Sequence, residues 1–484
     1  MIAERRWLVL ATLALVQFVI VTDTTIVNIA LPSIGADIGL GTGGLTWVVN
    51  AYLLTAGGLL LMGGRLADLL GRRRMFLAGT VLFGLASVGC ALAPDARTLV
   101  AGRALQGVGE ALASPAALSI LALLFPAPAD RARALGIWGG LAGLGATLGV
   151  TLSGVLVTFW GWRSVFWINV PFVLAALVCL PLLLKVAPDG RDGATSGRRP
   201  RVDLGGPLTL TAAMVAVVHG LVAAQRAAVT SVSVWGPVLA GMVLLAAFVV
   251  LERRHPDPLV PLRFFAHRTR VAANGLSVLV VGPMASMFLL LTLYQQDVLD
   301  RSALQTGLAY LPFCVVFVAA VFASVALTGR VGVPAATATA FAVASLGMLL
   351  LLRLDPAGGF WGQLLPATLV LAVGFGLAMP PLQAAAMSGL SEGDAGLGAG
   401  VQTAVQSLGN AVGVAVALLV SVQVAQAAGG TAAGVAAGTR AAFGASAVAL
   451  LLGLVLTLVT LRLPAGEDAT SADARPGVPE PVGR

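Results

Sequence analysis

GGRLADLLGRRR, residues 63–74, joins two long apolar runs, and the way it turns decides how the rest of the chain folds. Gly64 and Gly71 permit close packing and a sharp change of direction. Asp68 stands four residues before Arg72, the spacing of an ion pair on one helical face. Arg72, Arg73 and Arg74 anchor the turn where positive charge collects, at the cytoplasmic surface of a membrane. The stretch therefore predicts two antiparallel transmembrane helices joined by a short cytoplasmic loop.

Outward from this turn the pattern repeats. Of 484 residues, 58% are hydrophobic and 10% are charged, against about 25% charged in an ordinary soluble domain. Apolar runs of about 20 residues, enough to cross a bilayer as a helix, recur fourteen times between 7–31 and 441–463. No strand alternation is visible, and backbone in lipid must satisfy its own hydrogen bonds. The expected fold is an all-α membrane protein. Its first run is too long for a cleaved signal and lacks a small-x-small site, so it should stay as the first helix.

Most of the 29 Lys and Arg fall on one face of this topology, with only Arg97, Arg163, Arg226, Arg301, Arg353 and Arg440 on the other and Arg103 inside a span. That asymmetry places both termini in the cytoplasm. The net charge of +8 is spread over short interhelical clusters, so no nucleic-acid partner is expected. Cys90, Cys179 and Cys314 lie within apolar runs and suit neither a disulfide framework nor a metal cluster. The sequence has no P-loop, no HExxH and no nucleophile elbow. ATP coupling and enzymatic chemistry are not expected, and neither is a metal or organic cofactor.

The turn at 63–74 has a weak echo in LTGRVGVPA (327–335), with Gly-Arg again at the cytoplasmic end of a span. If each is the second span of a six-helix set, the chain has two halves. Residues 1–184 form the first bundle and 271–463 the second. Residues 204–251 are two helices inserted between them. Residues 185–203 and 252–270 are cytoplasmic connections, and 464–484 is a polar tail. Phe264 and Phe265 suggest a short amphipathic piece lying on the membrane face. Repeated halves around a midplane site are a transporter architecture.

Polar residues inside the spans mark candidate sites. VQFVIVTDTTIVNIALP (16–32) holds Asp23 and Asn28, with Pro32 at its end. A carboxylate in hydrocarbon costs roughly 2.5–3.5 kcal/mol or more. LVAGRALQGVGEALASPAALSIL (99–121) holds Arg103, Gln106 and Glu110, all on one face. At about 1.5 Å per residue, Asp23 and Arg103 lie ~11 and ~9 Å from the outer end and Glu110 ~20 Å. Asp23 is either mainly the structural partner of Arg103 or a proton or cation site whose affinity Arg103 sets. Glu110 is either a proton carrier or an interhelical hydrogen-bonding group. Asn50 and Tyr52 either line a cavity or pack against a neighbouring helix. Gln402, Gln406 and Asn410 form either a cavity lining or a hydrogen-bond ladder. His219 reads mainly as packing. Gly145 and Gly149, with Gly154 beyond, form a small-residue packing stripe.

The pattern G-R-L-A-D-L-L-G-R-R-R at 64–74 resembles the loop signature of the major facilitator superfamily, where it latches the two halves. Arg103, Gln106, Gly107 and Gly109 resemble that superfamily's R-x-x-Q-G-x-G motif. Gly145, Gly149 and Gly154 resemble its antiporter motif, although Val150 and Ser153 depart from it. DTTIVNIALP (23–32), WRSVFWINVP (162–171), LQTGLAYLP (304–312) and GLGAGVQTAVQSLGNAVGVAVA (396–417) resemble its fourteen-helix drug:H+ antiporters, the EmrB/QacA type. That resemblance implies proton-coupled export of amphipathic, often cationic compounds through the bacterial inner membrane, powered by the proton gradient. It implies a monomer among membrane lipids, with Asp23, Asn28, Asn50, Tyr52, Arg103, Gln106 and Glu110 around the cavity and a latch at Gly64, Asp68, Gly71 and Arg72–Arg74. The competing expectation is a facilitator or importer of a polar solute on the same fold.

Overall fold

The computed structural model describes residues 2–125, 127–183, 205–225, 227, 230–255, 258, 262–355, 359–390, 395–429 and 431–461. The connection expected at 185–203 and the tail expected at 464–484 lie outside them. Every regular element among the described residues is helical. In order they are α1 (Ile2–Ile38), α2 (Thr42–Leu70), α3 (Arg72–Ala91), α4 (Ala96–Leu124), α5 (Pro128–Trp160), α6 (Ser164–Trp167), α7 (Asn169–Leu183), α8 (Gly205–Ala223) and α9 (Val232–Arg254). Then follow α10 (Arg268–Leu293), α11 (Ala303–Ala309), α12 (Leu311–Leu351), α13 (Leu365–Ala386), α14 (Ala395–Ala427) and α15 (Ala432–Thr460). Among the described residues, 11 helical segments are long and apolar enough to cross a membrane.

The turn at 63–74 forms as its residues dictate. Gly71 alone breaks α2 from α3, with φ 101°, in a region that favours glycine. Arg72 donates to Asp68 at 3.1 Å on the exposed side of the turn. At the opposite surface α4 starts on an Asp95 cap, whose carboxylate accepts from the Thr98 amide at 2.8 Å. That bond holds Asp95 below its usual carboxylate range.

One expected boundary moves and two others hold. Pro32 does not end the first helix, which runs on to Ile38; a proline removes one donor, and the surrounding turns carry the helix across it. The expected sixth span runs through α6 and α7, since Ile168 between them keeps helical dihedrals (φ −61°, ψ −27°) and its amide donates to the Ser164 carbonyl at 3.0 Å. The expected break between the tenth and eleventh spans stands at Gly332, where φ is 79° and ψ 164° and the two parts of α12 separate.

Small residues set the packing. Gly63 of α2 lies against the Ala111 backbone of α4, and Gly109 of α4 against Gly79 and Phe83 of α3. Gly282 of α10 faces Gly413 of α14, and Gly374 of α13 faces Ala344 of α12. Lipid gives helices no hydrophobic drive to associate, so close backbone approach supplies the contact energy. α9 shows the opposite pattern: Leu239, Met242 and Val243 stand exposed on its outer side, as lipid-facing side chains do.

Three seams join α1–α7 to α10–α15. Gly57 of α2 rests on Ser407 and Ala404 of α14. Gly154 of α5 meets Ala303 and Leu304 at the start of α11. Gln296, just after α10, donates to the Ile29 carbonyl of α1 at 3.0 Å. Phe264 corrects an expectation: it is buried against Leu61 of α2 and Val401 and Val405 of α14, while Phe265 is exposed. Its ring seals the α2–α14 seam, because the apolar wall there offers it more contact than a membrane surface would.

A methyl added at Gly63 runs into the Ala111 carbonyl, whereas Gly89 has nothing within 4 Å. Gly63→Ala should therefore lower the thermal stability of the detergent-purified protein by at least the ~1–3 kcal/mol of overpacking. Gly89→Ala should stay within about 0.5 kcal/mol of the parent.

Candidate functional site

Asp23 and Arg103 meet inside the first group of helices, 0% and 2% exposed. Arg103 Nη1 donates to Asp23 Oδ2 at 2.5 Å and to Gln106 Oε1 at 2.7 Å. Its Nε donates to the Val48 carbonyl of α2 at 3.2 Å. The Asp23 Oδ1 atom accepts from Gln106 Nε2 at 3.1 Å and from Asn169 Nδ2 at 2.6 Å. Gln106 and Asn169 also donate to Ser87 Oγ of α3, at 2.8 and 3.3 Å. Five helices thus contribute to one neutral cluster in which both carboxylate oxygens are occupied. A buried pair repays its desolvation only when such additional hydrogen bonds complete it.

Local structure explains the convergence. Arg103 and Gln106 are one turn apart on α4 and point the same way. Asn169, at the start of α7, lies on the side of that helix that faces α1 and brings its amide to Asp23. On the far side of α1, Gly145 and Gly149 of α5 lie against Phe18, Thr22 and Thr25. Thr22 donates to the Gly145 carbonyl at 3.3 Å, which fixes α1 next to Asp23.

The face of α4 that carries Arg103 stays polar further inward. Glu110, two turns on, is partly buried and approaches the hydroxyl of Tyr52. Ser114, one turn beyond, donates to Gln17 of α1 at 3.1 Å. Tyr52 is 1% exposed; its ring lies under Arg103, with Cζ 4.3 Å from the centroid. Its hydroxyl accepts from Thr24 at 3.4 Å. A continuous polar line therefore runs along the α1–α2–α4 interface, from the ion pair toward the end of the bundle that carries the α2–α3 turn.

Other expected site residues lie apart from it. Asn28 bonds the Thr24 carbonyl of its own helix at 3.4 Å. Asn50 faces the other way, donating to Ala411 of α14 at 3.1 Å. Gly154 does not share a face with Gly145 and Gly149; it packs on α11. Arg73 and Arg74 lie with Arg72 at the α2–α3 turn, and Gly64 packs loosely on Pro115. His219 is exposed beside Trp47, with ring centroids 6.0 Å apart. Gln402 is 1% exposed with both polar side-chain atoms unpartnered, as is Asn410 Oδ1, so α14 forms no completed ladder there. Ser87 and Asn169 were not expected; Asn169, a polar residue in an apolar run, carried the only signal. Among the described residues no group of His, Cys, Asp and Glu could hold a metal ion.

Removing one partner of this pair leaves the other charged and unsolvated. Asp23→Ala should cost ~3–5 kcal/mol of stability in detergent. Asp23→Ala combined with Arg103→Leu should recover much of that loss, measured as melting temperature by differential scanning fluorimetry.

Comparison with known proteins follows the same lines. Residues 13–414 match the family model described as Major Facilitator Superfamily. The chain is 39% identical over 408 residues to the puromycin resistance protein pur8 of Streptomyces alboniger, covering 82% of this chain and 78% of that one. It is 38% identical over 396 residues to the lincomycin resistance protein of Streptomyces lincolnensis, covering 82% and 80%. Its fold is similar to the crystal structure of an auto-inhibited POT family peptide transporter, with TM-score 0.67, 14% identity and coverage of 96% and 98%. It is a multi-pass membrane transporter and not an enzyme, and it is kin to bacterial drug-resistance transporters. The chain belongs to the Major Facilitator Superfamily.

Proposed function

We propose that this protein is a fourteen-helix exporter of the EmrB/QacA type that expels amphipathic, often cationic compounds from the bacterial cytoplasm in exchange for protons. The observation that carries the proposal is the polar line on α4: a buried, fully bonded Asp23–Arg103 pair continued inward by Glu110. In this reading residues 1–184 and 271–463 are the moving halves and 204–251 the inserted pair. Both termini are cytoplasmic, and the protein works as a monomer in the inner membrane. Fourteen spans follow when α6 and α7 are taken as one and α11 and α12 together as two, divided at Gly332. The relatives named for resistance to puromycin and lincomycin, and one named a cephamycin export protein, support antibiotic-like substrates.

The mechanism follows from the charges. With the carrier open inward, a cationic substrate enters near Glu110 and is favoured by its negative charge. With the carrier open outward, a proton on Glu110 cancels that charge and the substrate leaves. The Asp23–Arg103 pair keeps a fixed dipole beside this exchange. Alternating access needs differential affinity between the two states, and a single carboxylate that exchanges a proton for a cation supplies it. The turn at 63–74 acts as the latch, with Asp68 and Arg72 holding its shape.

Inside-out vesicles from a host stripped of its own efflux pumps test this. An imposed acid-interior gradient should drive uptake of ethidium, puromycin or lincomycin, and a protonophore should abolish it. Glu110→Gln should slow gradient-driven uptake about 10²-fold, the scale on which a positioned proton-transfer group contributes. If the gradient moves none of these compounds and none of them releases protons, proton-coupled export is wrong.

A further inference from the structure

Tyr52 belongs to α2, yet its side chain serves α1 and α4. The Arg103 guanidinium sits over its ring face, 4.3 Å from the centroid. Its hydroxyl accepts from Thr24, the residue next to Asp23, at 3.4 Å. The Glu110 carboxyl lies near the same hydroxyl. Arg103 and Glu110 are two turns apart on α4, ~10 Å along its axis. Tyr52 fills that interval.

The backbone holds it there. Gly107, midway between Arg103 and Glu110, lies so close to α2 that an added Cβ would be 2.5 Å from the Tyr52 carbonyl oxygen. Thr55 donates to the Ala104 carbonyl at 2.9 Å and ties the same two turns together. With the ring 1% exposed, no solvent screens it from Arg103, so a change in the hydrogen bonding of its hydroxyl alters the electron density of the ring face that the guanidinium covers. A phenol has one proton to donate. Its hydroxyl can only donate toward Glu110 when that group is a carboxylate, whereas a neutral acid has an O–H of its own to donate to the phenol oxygen, which reverses the direction of the contact.

We propose that Tyr52 is a positioning residue that transmits the protonation of Glu110 to the Asp23–Arg103 pair through its ring. The proposal rests on the reading of Glu110 as the proton-exchanging acid and names how that exchange reaches the buried pair. The charged or titratable groups facing this linkage are Asp23 of α1, Cys90 of α3, and Arg103 and Glu110 of α4. The neighbouring His219 of α8 is exposed and turned to Trp47, and the α14 residues that meet α2 at Ser407 and Ala411 are uncharged.

Infrared pH titration of the full-length protein in lipid nanodiscs tests this without any transported compound. The Glu110 acid band is assigned by its loss in Glu110→Gln, and the Arg103 guanidinium band by its loss in Arg103→Lys. As Glu110 titrates, the Arg103 band should move with the same midpoint. In Tyr52→Phe, which keeps the ring and removes the hydroxyl, the Glu110 band should still titrate and the Arg103 band should no longer follow it. An Arg103 band that follows Glu110 equally well in Tyr52→Phe, or that ignores Glu110 in the parent protein, overturns the proposal. Should Tyr52→Phe fold poorly, the phenol C–O band of the parent decides: it must change at the Glu110 midpoint and stay fixed in Glu110→Gln, and a phenol band that does not change overturns the linkage. Vesicles that show no proton-driven transport would sink the exporter reading and leave this result standing, so the two failures are separable.

Discussion

Asp23 has no water to solvate it, so its charge has to be balanced from within the protein, and much of the first seven helices is arranged to do so. Arg103 supplies the opposite charge, Gln106 and Asn169 supply the other donors, and Ser87 accepts what those amides have left over. Each partner comes from a different turn or helix. Moving any one of α1, α3, α4 or α7 by more than a fraction of an ångström would leave a polar atom bare at a cost of ~1–3 kcal/mol. The pair therefore fixes how these helices sit, quite apart from any role in transport.

Close packing is the complementary constraint. The side chains of the cluster can meet only because backbones do first. Gly145 and Gly149 bring α5 against α1, Gly107 brings α2 against α4, and Gly79 and Gly109 bring α3 against α4. In lipid these contacts substitute for the hydrophobic drive that shapes soluble cores. Large residues at the same places would hold the helices apart, beyond hydrogen-bond reach of Asp23. The high glycine content, 59 of 484 residues, is thus part of the reason a buried ion pair can exist here.

Much of this was legible in the sequence, and the rest failed for geometric reasons. The helix-turn-helix at 63–74 and the common depth of Asp23 and Arg103 followed from spacing alone, because charge in an apolar run is a strong signal and helical rise converts number into depth. Depth is only one coordinate. Asn28 follows Asp23 by five residues, which turns it ~140° around α1 at 3.6 residues per turn, and it bonds its own helix instead. Gly154 lies nine residues beyond Gly145, about half a turn around the axis by the same arithmetic, so it reaches α11 while Gly145 touches α1. Ser87 gave no sign, since a hydroxyl in a span ordinarily bonds the preceding turn, as Ser87 also does with Phe83 at 2.8 Å. Asn169 required knowing which side of α7 meets α1, and nothing in WINVP gives that side.

The distribution of charge bears on how movement and chemistry are joined. Among the described residues, the buried charged side chains are Asp23, Arg103 and, at the end of α9, Glu252. The buried polar residues of α10–α15, such as Ser277, Ser286, Thr337 and Gln402, are uncharged. The charged machinery thus sits on one side of the seams that join the two groups of helices. α2 belongs to both: Tyr52 turns toward Arg103, while Asn50 and Gly57, on its other side, meet Ala411 and Ser407 of α14. A rigid helix pinned on one face by a cation and on the other by a neighbouring backbone cannot rotate for one without disturbing the other. That gives a physical route by which a change in charge near Arg103 becomes a change at the α2–α14 seam, with no further element needed to carry it.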